Sequence, residues 1–96
     1  MSSKWVRVGS VRRFDHIEPD KAQAFKVLDE AAGVIEAWKD WDAFVASGEA
    51  EHDLLDRCAD VIQATLNLVA ALGVDDFRPW MKECERRNRE RGRITK

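Results

Sequence analysis

Val61-Ile-Gln-Ala-Thr-Leu-Asn-Leu-Val-Ala-Ala-Leu72 decides the fold. The run is apolar on nearly every side of a helix, and Gly73 stands where a left-handed residue would end it. Glu49, Glu51 and Asp53 precede it, where negative charge favours a helix N-terminus, so a helix is expected from about Glu51 to Leu72. A helix apolar all round needs cover on several sides. A chain of 96 residues with two or three helices cannot supply that cover alone. The expectation is a homodimer or dimer of dimers, with helices from separate copies completing a four-helix-bundle core.

Upstream, Pro19 and Asp20 suit a helix start. Phe25, Leu28, Ala32 and Ile35 recur at helical spacing, and Ala24, Ala31 and Trp38 widen the stripe. The first long helix should run to about Val45, stop at Ser47-Gly48, and return as the second in antiparallel fashion. Downstream, Asp75 or Asp76 should cap a third helix that reaches about Arg91 and ends at Gly92, with Pro79 in its first turn. Phe77, Trp80, Met81 and Cys84 give it an apolar face. Residues 5–14, Trp-Val-Arg-Val-Gly-Ser-Val-Arg-Arg-Phe, read as an extended arm with room for a short strand either side of Gly9-Ser10. The fold class is therefore all-α: an extended N-terminal arm over 1–14 and a helical domain over 15–96.

Hydrophobic residues make up 45% and charged residues 35%, the balance of a folded domain and not of a disordered chain. No apolar run approaches the roughly 20 residues of a membrane span. Lys4 to Arg13 is too charged for a signal peptide. Two cysteines, Cys58 and Cys84, cannot form a disulfide framework and read as reduced thiols, so a cytoplasmic protein without a membrane partner is expected. The net charge of −2 divides into +4 over residues 1–14, −9 over 15–60 and +3 over 61–96. That order argues against a nucleic-acid partner. It fits a cation site beside a phosphate site, and equally a solvated acidic helix face with cations at a helix C-terminus.

Both long helices carry polar stripes. Asp29, Gly33, Glu36 and Asp40 follow one another at steps of four, three and four, and Glu30 lies on the neighbouring row with Gly33 and Ala37. Asp56, Asp60, Gln63 and Asn67 repeat the same steps among Val61, Ile62, Leu66 and Leu68. Carboxylates facing one another in a bundle repel unless a cation lies between them. Oxygen ligands of this kind suit Mg²⁺ or Mn²⁺. Solvent-facing stripes are the alternative, and the apolar neighbours of Asp60, Gln63 and Asn67 weigh against it on the second helix. Glu49, His52, Asp53 and Asp56 have metal-ligand spacing, but a solvated first turn explains them more simply. His16 is a lone loop histidine. Trp38, Trp41 and Trp80 could stack on a base, although aromatics at helical spacing more often pack. Lys82, Arg86, Asn88, Arg89, Arg91 and Arg93 could hold phosphate or serve the helix dipole.

Leu28-Asp-Glu-Ala-Ala-Gly-Val-Ile-Glu-Ala-Trp-Lys39, Asp56-Arg-Cys-Ala-Asp-Val-Ile-Gln-Ala-Thr65 and Arg87-Asn-Arg-Glu-Arg-Gly-Arg93 together resemble the MazG-like all-α nucleoside triphosphate pyrophosphohydrolases, over residues 14–93. The resemblance implies two acidic motifs on successive helices. Their carboxylates bind Mg²⁺ and position a water that attacks the α-phosphate, giving a nucleoside monophosphate and pyrophosphate. It assigns Glu30 and Asp60 as catalytic and metal-binding residues, and Glu36, Asp56 or Asp29 could help them hold the metal. Lys82, Asn88, Arg91, Asn67 and Trp38 fall to a nucleoside triphosphate or related nucleotide. This chain departs from the pattern twice: the first motif is Glu30-Ala-Ala-Gly33 and the second Arg57-Cys-Ala-Asp60, so Gly33 and Arg57 replace two of four carboxylates. Hydrolysis should accordingly be weak or absent. The Arg57 guanidinium is expected to enter the space left at Gly33 and stand in for the metal, paired with Glu30 or Asp60. Arg57 extended to solvent is the alternative. A non-catalytic nucleotide-binding or protein-interaction module on the same fold is the second functional reading.

Overall fold

The computed structural model describes residues 4–95. Three helices follow in order: α1 (Lys21–Ala43), α2 (Gly48–Ala71) and α3 (Arg78–Glu90). There is no strand among the described residues, so the strand pair considered around Gly9-Ser10 is absent, and residues 4–19 form no regular element. Residues 1–3 of the expected arm and residue 96 of the helical domain lie outside the described residues.

The helix ends follow local chemistry. Asp20 accepts from the Gln23 backbone N–H at 2.9 Å and caps α1, while Ser47 accepts from the Ala50 N–H at 3.3 Å and caps α2. The α2 cap moves that helix start three residues ahead of the expected Glu51. Gly73, at φ +85°, ends α2 with Gly73 N–H donating to the Ala70 carbonyl and Val74 N–H to that of Val69. Gly92, at φ +74°, repeats the pattern on Arg89 and Asn88. Both are the paired bonds that close a helix through a left-handed residue. At α3, Asp76 accepts from the Arg78 N–H at 3.1 Å, and Pro79 sits in the first turn. The helix starts at Arg78, three residues later than Asp75.

α1 and α2 form an antiparallel hairpin. Arg57 packs over Gly33, and Gln23, Lys26 and Glu30 share one groove with Asp60, Ala64 and Asn67, so positions rise along one helix as they fall along the other. Small residues make the approach possible: Ala37 and Ala64 are the buried hydrophobic residues, and Asn67 is the buried polar one, 2% exposed. The side of α1 turned to α2 carries Val27, Val34, Ala37 and Trp41, each buried or half-buried.

The stripe expected to form the core lies elsewhere. Phe25, Leu28, Ile35 and Trp38 are exposed, Ile35 by 56%. At 100° per residue they occupy the flank of α1 away from the groove. Leu55 and Ile62, also exposed, continue that flank on α2. The helix Val61–Leu72 is thus half-buried along most of its length and not enclosed. The chain exposes 8173 Å², where a compact protein of its mass exposes about 5,600 Å². Its radius of gyration is 15.6 Å, against about 12.5 Å for a compact chain of this length. α3 adds to that openness, since it packs against neither α1 nor α2.

Candidate functional site

The N-terminal arm crosses one flank of the hairpin and turns it into a groove of about 370 Å³. Two polar residues of α2 fix the arm. Phe14 N–H donates to Asn67 Oδ1 at 3.1 Å, and Gln63 Nε2 donates to the Arg12 carbonyl at 3.0 Å and to Asn67 Oδ1 at 3.0 Å. A backbone N–H can only donate, so the Asn67 atom facing Phe14 is its oxygen. The Asn67 amide nitrogen therefore points away from the arm.

Phe14, His16, Lys26, Glu30, Asp60 and Asn67 line this groove among others. Glu30 is half-buried, and Lys26 Nζ, one turn before it, lies 3.5 Å from its Oε1. Asp60 makes no hydrogen bond or ion pair with a described residue. Beside the two carboxylates, a Cβ at Gly33 would stand 3.4 Å from Arg57 Nη1 and 3.5 Å from its Cδ. The arginine side chain thus fills the place of the missing residue-33 side chain, as expected. The expected pairing is not found: Arg57 forms no salt bridge with Glu30 or Asp60 among the described residues, and Glu30 takes Lys26 instead.

Of the residues singled out in the sequence, the groove brings together His16, Glu30, Asp60, Gln63 and Asn67. Glu36 is exposed and sits 3.5 Å from Lys39. Asp56 is exposed and sits 3.5 Å from His52. Trp38 lies on the opposite flank. Lys82, Asn88 and Arg91 belong to α3, which stands apart from the hairpin. Asn88 is already engaged, donating to the Cys84 carbonyl at 3.0 Å and accepting from Arg93 at 3.1 Å. No group of three or more His, Cys, Asp or Glu side chains converges among the described residues. The donor set is two carboxylates with a lysine on one and a guanidinium alongside. It does not fit a divalent cation, which takes several oxygen ligands and is repelled by fixed cations.

Lys26 and the arm residues were missed. Lys26 was legible, since a lysine four residues before Glu30 faces it on one helix. The Phe14–Asn67 bond spans 53 residues and leaves no local pattern.

No family model, no curated protein and no solved structure matches this chain. No helix of the described residues is long and apolar enough to cross a membrane.

Proposed function

We propose that this chain is a non-catalytic relative of the MazG-like pyrophosphohydrolases, a self-associating helical module that keeps Glu30, Asp60 and Asn67 in one groove and has given up metal-dependent hydrolysis. One observation carries the reading. Arg57 packs into the gap at Gly33, at the two positions where the resemblance puts carboxylates. The cation there and the Lys26–Glu30 pair take over the charge balance that Mg²⁺ or Mn²⁺ provides in active relatives.

Self-association belongs to the same reading. The bare flank of Leu28, Ile35 and Trp38 on α1 with Leu55 and Ile62 on α2 supports a homodimer, or a dimer of dimers, with a four-helix core. The surface in excess of a compact chain is roughly 2,500 Å² per protomer, and obligate homodimers bury about 2,000–5,000 Å² in total.

Pyrophosphate release from a panel of nucleoside triphosphates with Mg²⁺ or Mn²⁺ tests the loss of catalysis. The expected result is no release above the protein-free blank. Turnover near ~1 s⁻¹, within the usual enzyme range, overturns the proposal and restores the hydrolase reading.

A further inference from the structure

The third helix is amphipathic, and its apolar side is not laid on the hairpin. α3 packs against neither helix of its own hairpin. Trp80 and Met81 are both more than half exposed, and the Phe77 and Trp80 rings stack only on each other, 6.1 Å apart. Cys84, Arg87 and Arg91 continue the Trp80 stripe at steps of four, three and four, so one face begins apolar and ends cationic. Arg86 is held by Glu83 and Glu90, and Arg89 by Glu85. The Arg87 and Arg91 guanidinium groups form no hydrogen bond or salt bridge with a described residue.

The outer edge of α1 is the complement of this face. Phe25, Leu28 and Ala32 are exposed there at steps of three and four, the steps from Phe77 to Trp80 and Cys84, and Leu28 is where this edge borders the bare flank. Asp29 and Glu36 bracket Ala32, and Asp29 makes no hydrogen bond or ion pair with a described residue. Over residues 15–60, the region holding this edge, the net charge is −9, while residues 61–96 carry +3. We propose that α3 of one protomer docks on the outer edge of α1 of a second copy, so that exchange of the third helix ties protomers together beside the four-helix core. The proposal takes the existence of a second copy from the self-association above; where α3 goes is argued separately. A second copy is the occupant because the same chain presents both halves: matched helical spacing, opposite charge, and more exposed area than a compact chain of its mass.

Ala32 and Cys84 lie at the midpoints of α1 and α3, so a disulfide between positions 32 and 84 tests docking whichever way α3 runs. In a Cys58→Ala background, a tagged chain carrying Ala32→Cys and Cys84→Ser is co-expressed with an untagged chain that keeps Cys84. The mixture is mildly oxidised, and its mass is followed by sedimentation. The expected product is a tagged–untagged disulfide dimer, at least fivefold more abundant than with Cys84→Ser in both chains. A single chain carrying Ala32→Cys and Cys84 should likewise link between copies. Closure of that chain into a fast-migrating monomer overturns the proposal, because α3 then returns to its own hairpin. A sedimenting dimer with no 32–84 link also overturns it while leaving self-association standing. A monomer at high micromolar concentration overturns self-association and the exchange with it.

Discussion

The two flanks of the α1–α2 hairpin are built on the same helices and solve opposite problems. One carries Lys26, Glu30, Arg57, Asp60, Gln63 and Asn67, and is crossed by the chain's own N-terminal arm. The other carries Leu28, Ile35, Trp38, Leu55 and Ile62, and nothing in the protomer covers it. Hydrogen bonds are directional and local, so a few backbone groups of the arm satisfy the polar flank. Apolar surface is stabilised in proportion to area, at about 25 cal/mol per Å². A short arm cannot supply that area. Two polar residues can therefore be satisfied within one chain, whereas covering this apolar flank takes an area that the arm does not supply.

Charging the bare flank should have the largest effect. Ile35→Glu is expected to weaken self-association at least 100-fold, about 2.7 kcal/mol, as read by sedimentation, while Lys26→Glu on the other flank leaves the mass unchanged. If the Ile35 variant still sediments as the wild type, the flank is not the interface. On the groove flank, Gly33→Glu combined with Arg57→Glu should create Mg²⁺ binding at least ten times tighter by calorimetry than either single change. A single variant that binds as well as the double would show that the two positions do not act together.

A smaller loss is expected at the arm's anchor. Asn67→Leu removes the acceptor of Phe14 N–H and Gln63 Nε2, which should cost about 1–3 kcal/mol and lower Tm by about 4–8 °C per kcal/mol. Asn67→Asp keeps an acceptor and should lose less; equal melting of all three proteins would remove the anchor from the account. The smallest effect belongs to α3, which lies on neither flank. The Arg78 guanidinium and N–H hold the Asp76 carboxyl down at about 2. A carboxyl lowered in the folded state stabilises above its ordinary range and loses that contribution as pH falls through the folded value. The Arg78 amide signal should therefore stay constant above about pH 4 and move as pH falls through about 2, with most of the change between about pH 3 and 1. Asp76→Asn should abolish the step, and an unchanged titration in that variant would assign it to another group.

The helix ends were legible because each is a local event. Asp20, Pro79, Gly73 and Gly92 act on backbone groups within a few residues. The apolar flank was legible as a stripe, but the side of α1 that meets α2 was not. Periodicity reports that Phe25, Leu28 and Ile35 share a side of α1, and says nothing of what that side meets. Val27, Val34 and Ala37, which do meet α2, form a second stripe on the same helix. In the groove, Glu30, Asp60 and Asn67 were legible from spacing along single helices. The absence of Glu36 and Asp56 was not: Asp56 shares the face of Asp60 and Asn67 but lies a turn beyond the groove, exposed beside His52, and Glu36 is exposed beside Lys39. Arg57 was half legible: its length and the missing side chain at 33 foretold the contact, while the choice of partner for Glu30 went to a nearer lysine.

The contact between Arg57 and Gly33 also constrains how this sequence can change. With Nη1 3.4 Å from where a Cβ would stand, a methyl group at 33 meets the arginine at van der Waals contact, and a longer side chain shares its space with the guanidinium. A carboxylate gained at 33 while Arg57 remains meets a cation in its path, and a carboxylate gained at 57 alone faces an empty position. The two positions are therefore coupled: the effect of a change at either depends on the residue at the other.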